Sequence, residues 1–572
     1  MRPDDLRASE LFYGLSDEEL ELVIASMKPE YYAKGTTVVR PGETVNQLYF
    51  VGSGRLRVTE AGTERGLGYL GPGDFFGEMT AFLPGQKHAA GLEVVIDATL
   101  FSLSQEDLQT LLLEYPQMAL RLNYTILRRF AQPTPAWSNA RGLVAVSGPP
   151  EGIVRLVNEL APYAKYPTPS EQRSLALLPL ADASGFDDDS VAEDVLVLRD
   201  IGLEEVELSE ALSRQLDVFQ HVLIILPETP TSLAAKALNL AEIVVGLGQP
   251  APWVQDATPP DKLWQSEVTA AALEKLARRI AGRRVGLVLS SGGSKCVAHV
   301  GVLTTLRKAS IPIDFIAGVS GGALFGAAFA LGFNDEKLYD FVKRLASMNN
   351  PRFWDVNLPP RAGLLKARRV RDELDRLLDG RHFSDLEIPM VMIATDIKTG
   401  EAVELDRGSL ADAVRASMSL PGIADPWLLR LPGITDPWHH QDRFFIDGGV
   451  VNPLPTDVIR RRGANIVIAS DVTVAGSGAD APRTHLPTGR APTIFQVISS
   501  FLSMAEAAHI EPKARQADIL IRPGVRARSS LDFDQKDEFL ARGEAVAEAH
   551  LPHILSKLYG TPMKIEPKKE AS

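Results

Sequence analysis

The chain is predicted to be an α/β protein in three parts: an N-terminal β jelly-roll domain with flanking helices, an α/β linker domain, and a C-terminal α/β/α sandwich. Three observations carry this reading. Short apolar runs broken by glycine turns fill residues 10–130; strand-like runs then alternate with helical stretches over 143–265; and the same alternation recurs on a larger scale over 283–560. A chain of 572 residues is too long for one core, and at about 150 residues per domain it should divide into roughly three or four. The expected domains are 1–135, 143–265 and 283–560.

In the first domain, Gly35, Gly42, Gly52, Gly54 and the stretch "LGPGDFFGE" punctuate short strands, the pattern of a small barrel or jelly roll. "SQEDLQTLLLEYPQMALRLNYTILRRF" follows with helical periodicity and Ser104 as its N-cap, and the proline-containing "AQPTPAWSNARG" closes the unit. The linker domain offers strands "LVAVSG", "SLALLPL", "DVLVLR", "HVLIILPE" and "EIVVGLG". Its first turn, "VSGPPEG", has neither phosphate-loop spacing, so no nucleotide chemistry is expected there.

The third domain supplies strands "RVGLVLS", "IDFIAG", "PMVMIATDI", "RFFIDG" and "ANIVIASDV". Its uncharged run from Phe315 to Phe333 is nearly long enough for a bilayer. Gly318, Gly321 and Gly322 cluster where a turn falls, so the run is read as buried strand, tight turn and buried helix. "APTIFQVISSFLSMAEAAHIEP" is a partly amphipathic helix, preceded by the loop "GSGADAPRTHLPTGRAP", and "KIEPKKEAS" is a frayed tail.

Composition excludes several classes. A net charge of -13, from 60 basic and 73 acidic residues, argues against nucleic-acid binding and against general attraction to anionic membranes. The single cysteine, Cys296, excludes an internal disulfide framework and a cysteine-rich zinc site, which fits a reducing compartment. The first twenty residues carry charges throughout and do not read as a signal peptide, which makes cytoplasm the expected location.

Two glycine-rich turns carry the chemistry. "VLSSGGSKCVAHVG", Val288 to Gly301, is a strand, a small-residue turn and a helix start; such a turn suits either a bound phosphate or a transient oxyanion. Gly318-Val319-Ser320-Gly321-Gly322 fits Gly-x-Ser-x-Gly, in which small neighbours let a serine stand above a strand-to-helix turn. Alone, the pentapeptide is equally an N-capped turn. If the two strands are adjacent and parallel, both turns reach one sheet edge, and the amides of Gly292 and Gly293 face a carbonyl attacked by Ser320. A serine nucleophile needs a base. His485, His509, His550 and His553 lie downstream without a strand-end context, whereas Asp447 in "FFIDGGVVNPLP" ends an apolar strand before two glycines.

In that order, the glycine-rich turn, Gly-x-Ser-x-Gly and Asp-Gly-Gly resemble the patatin-like phospholipases, and "AVRASMSLPGI" at 413–423 is similar to a signature of that family. The resemblance implies a serine–aspartate dyad: Ser320 as nucleophile between Gly318 and Gly322 of the elbow, Asp447 as base, Gly292 and Gly293 as oxyanion donors, and Lys295 positioning the loop. No cofactor or metal is implied. The chain departs from the family at Ser290 and Ser291, where glycines are usual, at Lys295 for arginine and at Cys296 for glycine. Lysine keeps the charge but loses the planar fork. Cys296 is read as a small packing residue rather than a second nucleophile.

"GTTVVRPGETVNQLYFVGSGRLRV" and "YLGPGDFFGEMTAFLPGQKHAAGL" resemble cyclic-nucleotide-binding domains, with Gly77 and Glu78 at the ribose positions. His88, beside Lys87, stands where that family grips the cyclic phosphate with arginine, so a scaffold retained for regulation or protein contact is favoured over nucleotide binding. The domain order resembles the neuropathy-target-esterase group of lysophospholipases. That implies a lysophospholipid or phospholipid substrate, with peripheral membrane contact through a surface such as Ile494 to Met504. The alternatives are a conventional Ser-His-Asp esterase, and a cyclic-nucleotide-responsive scaffold with a vestigial hydrolase domain.

Overall fold

The computed structural model describes residues 10–122, 142–429, 443–473 and 504–559 apart from short internal segments, the longest of them 78–86, 165–174, 181–189 and 199–207. The chain divides into two compact units, Met1–Gly282 and Arg283–Ser572.

The first unit holds two sheets. An antiparallel sheet is built on the long strands Gln47–Glu60 and Ala90–Ser104, which pair along nearly their whole length. Glycine punctuation predicted shorter strands here. Gly52 and Gly54 instead lie inside the first long strand, where the register shifts between Val51 and Ser53 and between Ser53 and Arg55. Bulges absorb these glycines and bend the strand without ending it. Ser104 caps the helix Gln105–Glu114, its Oγ accepting the Asp107 N–H at 3.1 Å. That helix and Asp17–Ala25 bury Leu20, Val23, Leu108 and Leu111 against Phe50 and Phe75.

The linker strands form a parallel sheet in the order Leu263–Ser266, Ile243–Leu247, Gly142–Ser147, His221–Ile225, Leu175–Pro179, Val195–Val197. Its central strands are apolar at nearly every position because helices such as Pro150–Leu160 and Ser232–Leu240 accompany them and both faces are buried.

The second unit is built on one mixed sheet. Its described strands are β1 (Val285–Leu289), β2 (Phe315–Val319), β3 (Met390–Asp396), β4 (Ala402–Leu405), β5 (Trp427–Leu429), β6 (Arg443–Asp447), β7 (Ile466–Ser470) and β8 (Ile519–Ile521). They lie in the order β5-β6-β3-β2-β1-β7-β8, with β4 also paired to β3. β3, β2, β1, β7 and β8 are parallel, while β4, β5 and β6 pair antiparallel. Helices α1 (Val297–Lys308) and α2 (Gly321–Ala330) follow β1 and β2; α3 (Leu410–Ser417) and α4 (Lys536–Tyr559) come later. One apolar core lies against each sheet face. The run from Phe315 to Phe333 is β2, Ser320 and the buried α2, and among the described residues no helix is long and apolar enough to cross a membrane.

Candidate active site

A strand residue has two hydrogen-bonding edges, and β3 spends them in a way that creates the site. Ile393 pairs with Glu404 of β4 on one edge and Val319 of β2 on the other; Ala394 pairs with Val403 of β4 and with Asp447 of β6. β2 and β6 therefore share the same edge of β3. They meet head-on, β2 ending at Val319 and β6, running the opposite way, ending at Asp447. Gly448 lets the junction close, since a Cβ there would stand 2.2 Å from the Ile393 carbonyl oxygen. Ser320 and Asp447, 127 positions apart, are joined: Ser320 Oγ donates to Asp447 Oδ2 at 2.7 Å.

Ser320 turns sharply out of β2, with φ 54° and ψ −122°, a conformation that costs an L-residue about 1–3 kcal/mol and persists only where neighbours enforce it. Ser417, at the end of α3, is one such neighbour. The Ser320 N–H donates to Ser417 Oγ at 2.8 Å, and that hydroxyl donates onward to the Ile393 carbonyl at 2.6 Å. Ser417→Ala removes both of these buried bonds, each costing about 1–3 kcal/mol where its partner is left unsatisfied. If Ser320 is a nucleophile, the substitution is expected to lower kcat about 10-fold to 100-fold with KM little changed, as steady-state kinetics on a soluble acyl ester will show.

Asp447 is buried and held on three sides. Its N–H donates to the Ser419 carbonyl at 2.9 Å, its carbonyl accepts Thr395 Oγ1 at 3.0 Å, and its Oδ1 accepts the Gly449 N–H at 2.8 Å. This leaves Oδ2 for Ser320. Burial pushes the carboxyl up to about 7, against the opposing pull of the Gly449 amide and the Ser320 hydroxyl, and the charge of Glu506 adds to the rise. If Asp447 is the base for Ser320, it is protonated and unable to take the serine proton below about pH 7, and the pH–rate profile should climb through neutrality. Glu506→Gln removes the neighbouring charge and should move that limb to lower pH; an unmoved limb would contradict the assignment.

The other turn arrives beside Ser320 because β1 and β2 are parallel, Leu289 opposite Gly318. Ser290 and Ser291 spend their N–H groups on the carbonyls of Ser470 and Pro453. Gly292 and Gly293 open the short helical turn Gly293–Cys296, where N–H groups have no intrahelical acceptor. Lys295 Nζ donates to the Thr473 carbonyl at 3.2 Å, tying the turn to the end of β7. Cys296 is buried beneath the elbow. A Cβ on Gly321 would lie 2.7 Å from its Sγ, so the side chain gained at 296 fills the space left by the glycine at 321. Burial pushes its thiol well up, which suits packing rather than nucleophilic attack.

Several residues at the site escape the sequence reading. His299 on α1 is buried beneath the turn, Nε2 at 3.0 Å from the Ser290 carbonyl and Nδ1 at 2.8 Å from Ser470 Oγ. Burial lowers it to about 4, so it is a neutral ring donating through Nε2. Glu506, on the helical segment 506–514, accepts Ser291 Oγ at 2.9 Å, and burial raises its carboxyl. Arg415, lowered to about 10 by burial, donates to the carbonyls of Ala367, Lys366 and Asp425 and to Ser419 Oγ, fixing the segment that holds Asp447. Of the four downstream histidines, His509 and His553 are exposed on helices and His550 bonds the Val546 carbonyl on its own helix. His485 and most of Ile494–Met504 lie outside the described residues; Met504 is exposed.

In the first unit Gly77 is buried against the Gln47 carbonyl, and His88 exchanges backbone bonds with Gly42 and Glu43. Glu78 lies outside the described residues.

A serine hydroxyl on a carboxylate, beside helix-opening amides at the carboxyl edge of a parallel sheet, is the arrangement of a hydrolase domain. Residues 287–459 match the family described as patatin-like phospholipase, and residues 29–115 match the cyclic nucleotide-binding domain. An uncharacterized NTE family protein of Mycobacterium tuberculosis is 27% identical over 590 residues, covering 96% of both chains. Another from the same organism is 34% identical over 218 residues, 38% of this chain and 56% of its own. Human patatin-like phospholipase domain-containing protein 6 is 26% identical over 530 residues, 77% of this chain and 37% of its own. The chain thus carries a patatin-like phospholipase domain behind a cyclic nucleotide-binding domain, and it resembles NTE family proteins along nearly its whole length.

Proposed function

We propose that this chain is a serine acyl-ester hydrolase acting on lysophospholipids or phospholipids. The 2.7 Å bond from Ser320 Oγ to Asp447 Oδ2 is the observation that carries this reading. Ser320 Oγ attacks the acyl carbonyl carbon as its proton passes to Asp447 Oδ2. The carbonyl oxygen gains charge beside the amides of Gly292 and Gly293 and the N-terminus of α2, where preorganised dipoles favour a developing anion. Collapse breaks the ester bond, the departing alcohol takes the proton from Asp447, and an acyl-serine remains. Water, deprotonated by Asp447, then releases the fatty acid and restores the hydroxyl. Release of fatty acid from lysophosphatidylcholine by the purified chain tests the proposal; no release, with none from a short soluble ester, would refute it.

A lone buried thiol suits a reducing compartment, so the proposed setting is cytoplasmic with peripheral access to lipid. For the N-terminal domain we favour a retained scaffold. An imidazole at position 88 lacks the permanent charge and bidentate geometry that a cyclic phosphate requires. Calorimetry with cyclic AMP and cyclic GMP should detect no binding heat, and micromolar affinity for either would contradict this.

A further inference from the structure

We propose that the outward face of the β5–β6 pair, together with Val356, Leu358 and Leu364, is the surface by which this chain docks onto a phospholipid bilayer. The reason a lipid surface is the partner rests on the acyl-hydrolase reading above; the geometry of the surface does not.

β6 occupies the lane along β3 that β2 vacates at Val319. Phe445 uses one edge for Asp396 of β3 and the other for Trp427 of β5. β5 therefore lies in the next lane out, the one β1 leaves at Leu289. The pair thus extends past the carboxyl ends of β1 and β2, beside the two catalytic turns. Its faces differ in kind. Phe445 is fully buried on the inner face, whereas Leu428 and Phe444, directly opposed across the pair, point outward, with Phe444 48% exposed. Ile397 joins them, 54% exposed, its N–H donating to the Phe444 carbonyl at 3.0 Å.

A second apolar group adjoins the first. Gly363–Leu365 pairs with Gly422–Ala424, which leads directly into β5, and the Asp425 N–H donates to the Leu365 carbonyl at 2.8 Å. Outward from this ribbon stand Leu364, Val356 and Leu358, the last 86% exposed. Among the described residues of the second unit, every large exposed hydrophobic belongs to these two groups except Met504, which is itself two positions from Glu506 at the site. Scattered exposed apolar residues need no explanation, but concentration at one end of a domain does.

Position and charge select lipid as the occupant. Phe444 is three residues from Asp447 on an extended strand, about 10 Å along it and on the opposite face, so a membrane touching it lies at the end of the sheet where the site sits. Exposed Lys366, Arg368 and Lys398 border the apolar residues in a chain whose net charge is -13. Apolar side chains flanked by exposed cations, with Glu401 the exposed acid on the Ile397 turn, have the composition of an interfacial surface.

The test is flotation of full-length Ser320→Ala protein with vesicles of phosphatidylcholine, alone or with phosphatidylserine. The protein should float, more strongly with phosphatidylserine. Phe444→Asp/Leu428→Asp and, independently, Leu358→Asp/Leu364→Asp should each weaken partitioning about tenfold or more. Lys398→Glu should weaken it only when phosphatidylserine is present. All these positions are exposed, and unchanged circular dichroism will show that the variants fold. With Ser320 intact, both apolar pairs should lower hydrolysis of vesicle-borne lysophosphatidylcholine while leaving turnover of a short soluble ester unchanged. A parent that does not float, or variants that float equally well, overturns the proposal. So does a self-association lost in these variants without vesicle binding, which would make the surface an interface between two copies. If flotation depends on these residues but no ester is ever hydrolysed, the hydrolase reading fails and this surface stands.

Discussion

Ser320→Ala is expected to lower acyl-ester turnover by about 10,000-fold or more while leaving the fold intact. In the proposed mechanism the hydroxyl supplies the bond-forming atom, and its described neighbours offer no replacement: Cys296 is buried with its thiol held protonated, and Ser417 is bonded on both sides. The backbone need not change, because the elbow is held by the N–H of residue 320, which alanine retains. Turnover within tenfold of the parent in a short-ester assay would remove Ser320 from the mechanism.

Asp447→Asn should be nearly as severe, about 1,000-fold or more in kcat. Asparagine keeps the shape and can still meet the Gly449 N–H and the Ser320 hydroxyl, but it cannot accept a proton. The same substitution makes a stability prediction of opposite sign. The carboxyl is raised to about 7 in the folded chain, above its unfolded value of about 4. Between those values the folded state binds the extra proton, so this group's contribution to stability is fully present below pH 4 and is lost as pH rises through 7. Asp447→Asn should therefore unfold at a higher temperature than the parent at pH 8, with the difference shrinking toward pH 5. Equal thermal midpoints at both pH values would show that Asp447 is not a desolvated acid.

How much of this was legible in the sequence depends on range. Ser320, Asp447 and the two glycine turns stand out because sharp turns at strand ends demand small residues, and that demand is local. The order of motifs implied that they meet, yet nothing in the spacing revealed that β2 and β6 abut along one edge of β3. That depends on pairings made by four separate segments. Arg415, Ser417 and Ser419 lay within a recognised stretch, but their partners Ala367, Ile393 and Asp447 are remote in sequence, so the stretch carried no visible role. His299 was hidden in the same way: on a helix, an isolated histidine reads as ordinary until its two partners are known. In the N-terminal domain the glycines at 52 and 54 misled because bulges and turns use the same residue for different purposes.

The central claim is that Ser320, activated by Asp447, is the attacking group. Labelling of the full chain with a fluorophosphonate, followed by mass spectrometry of the modified peptide, tests it most directly. One adduct on Ser320, absent from Ser320→Ala and strongly reduced in Asp447→Asn, is the predicted result. Stoichiometric labelling of any other side chain, or undiminished labelling of Ser320→Ala, would contradict it.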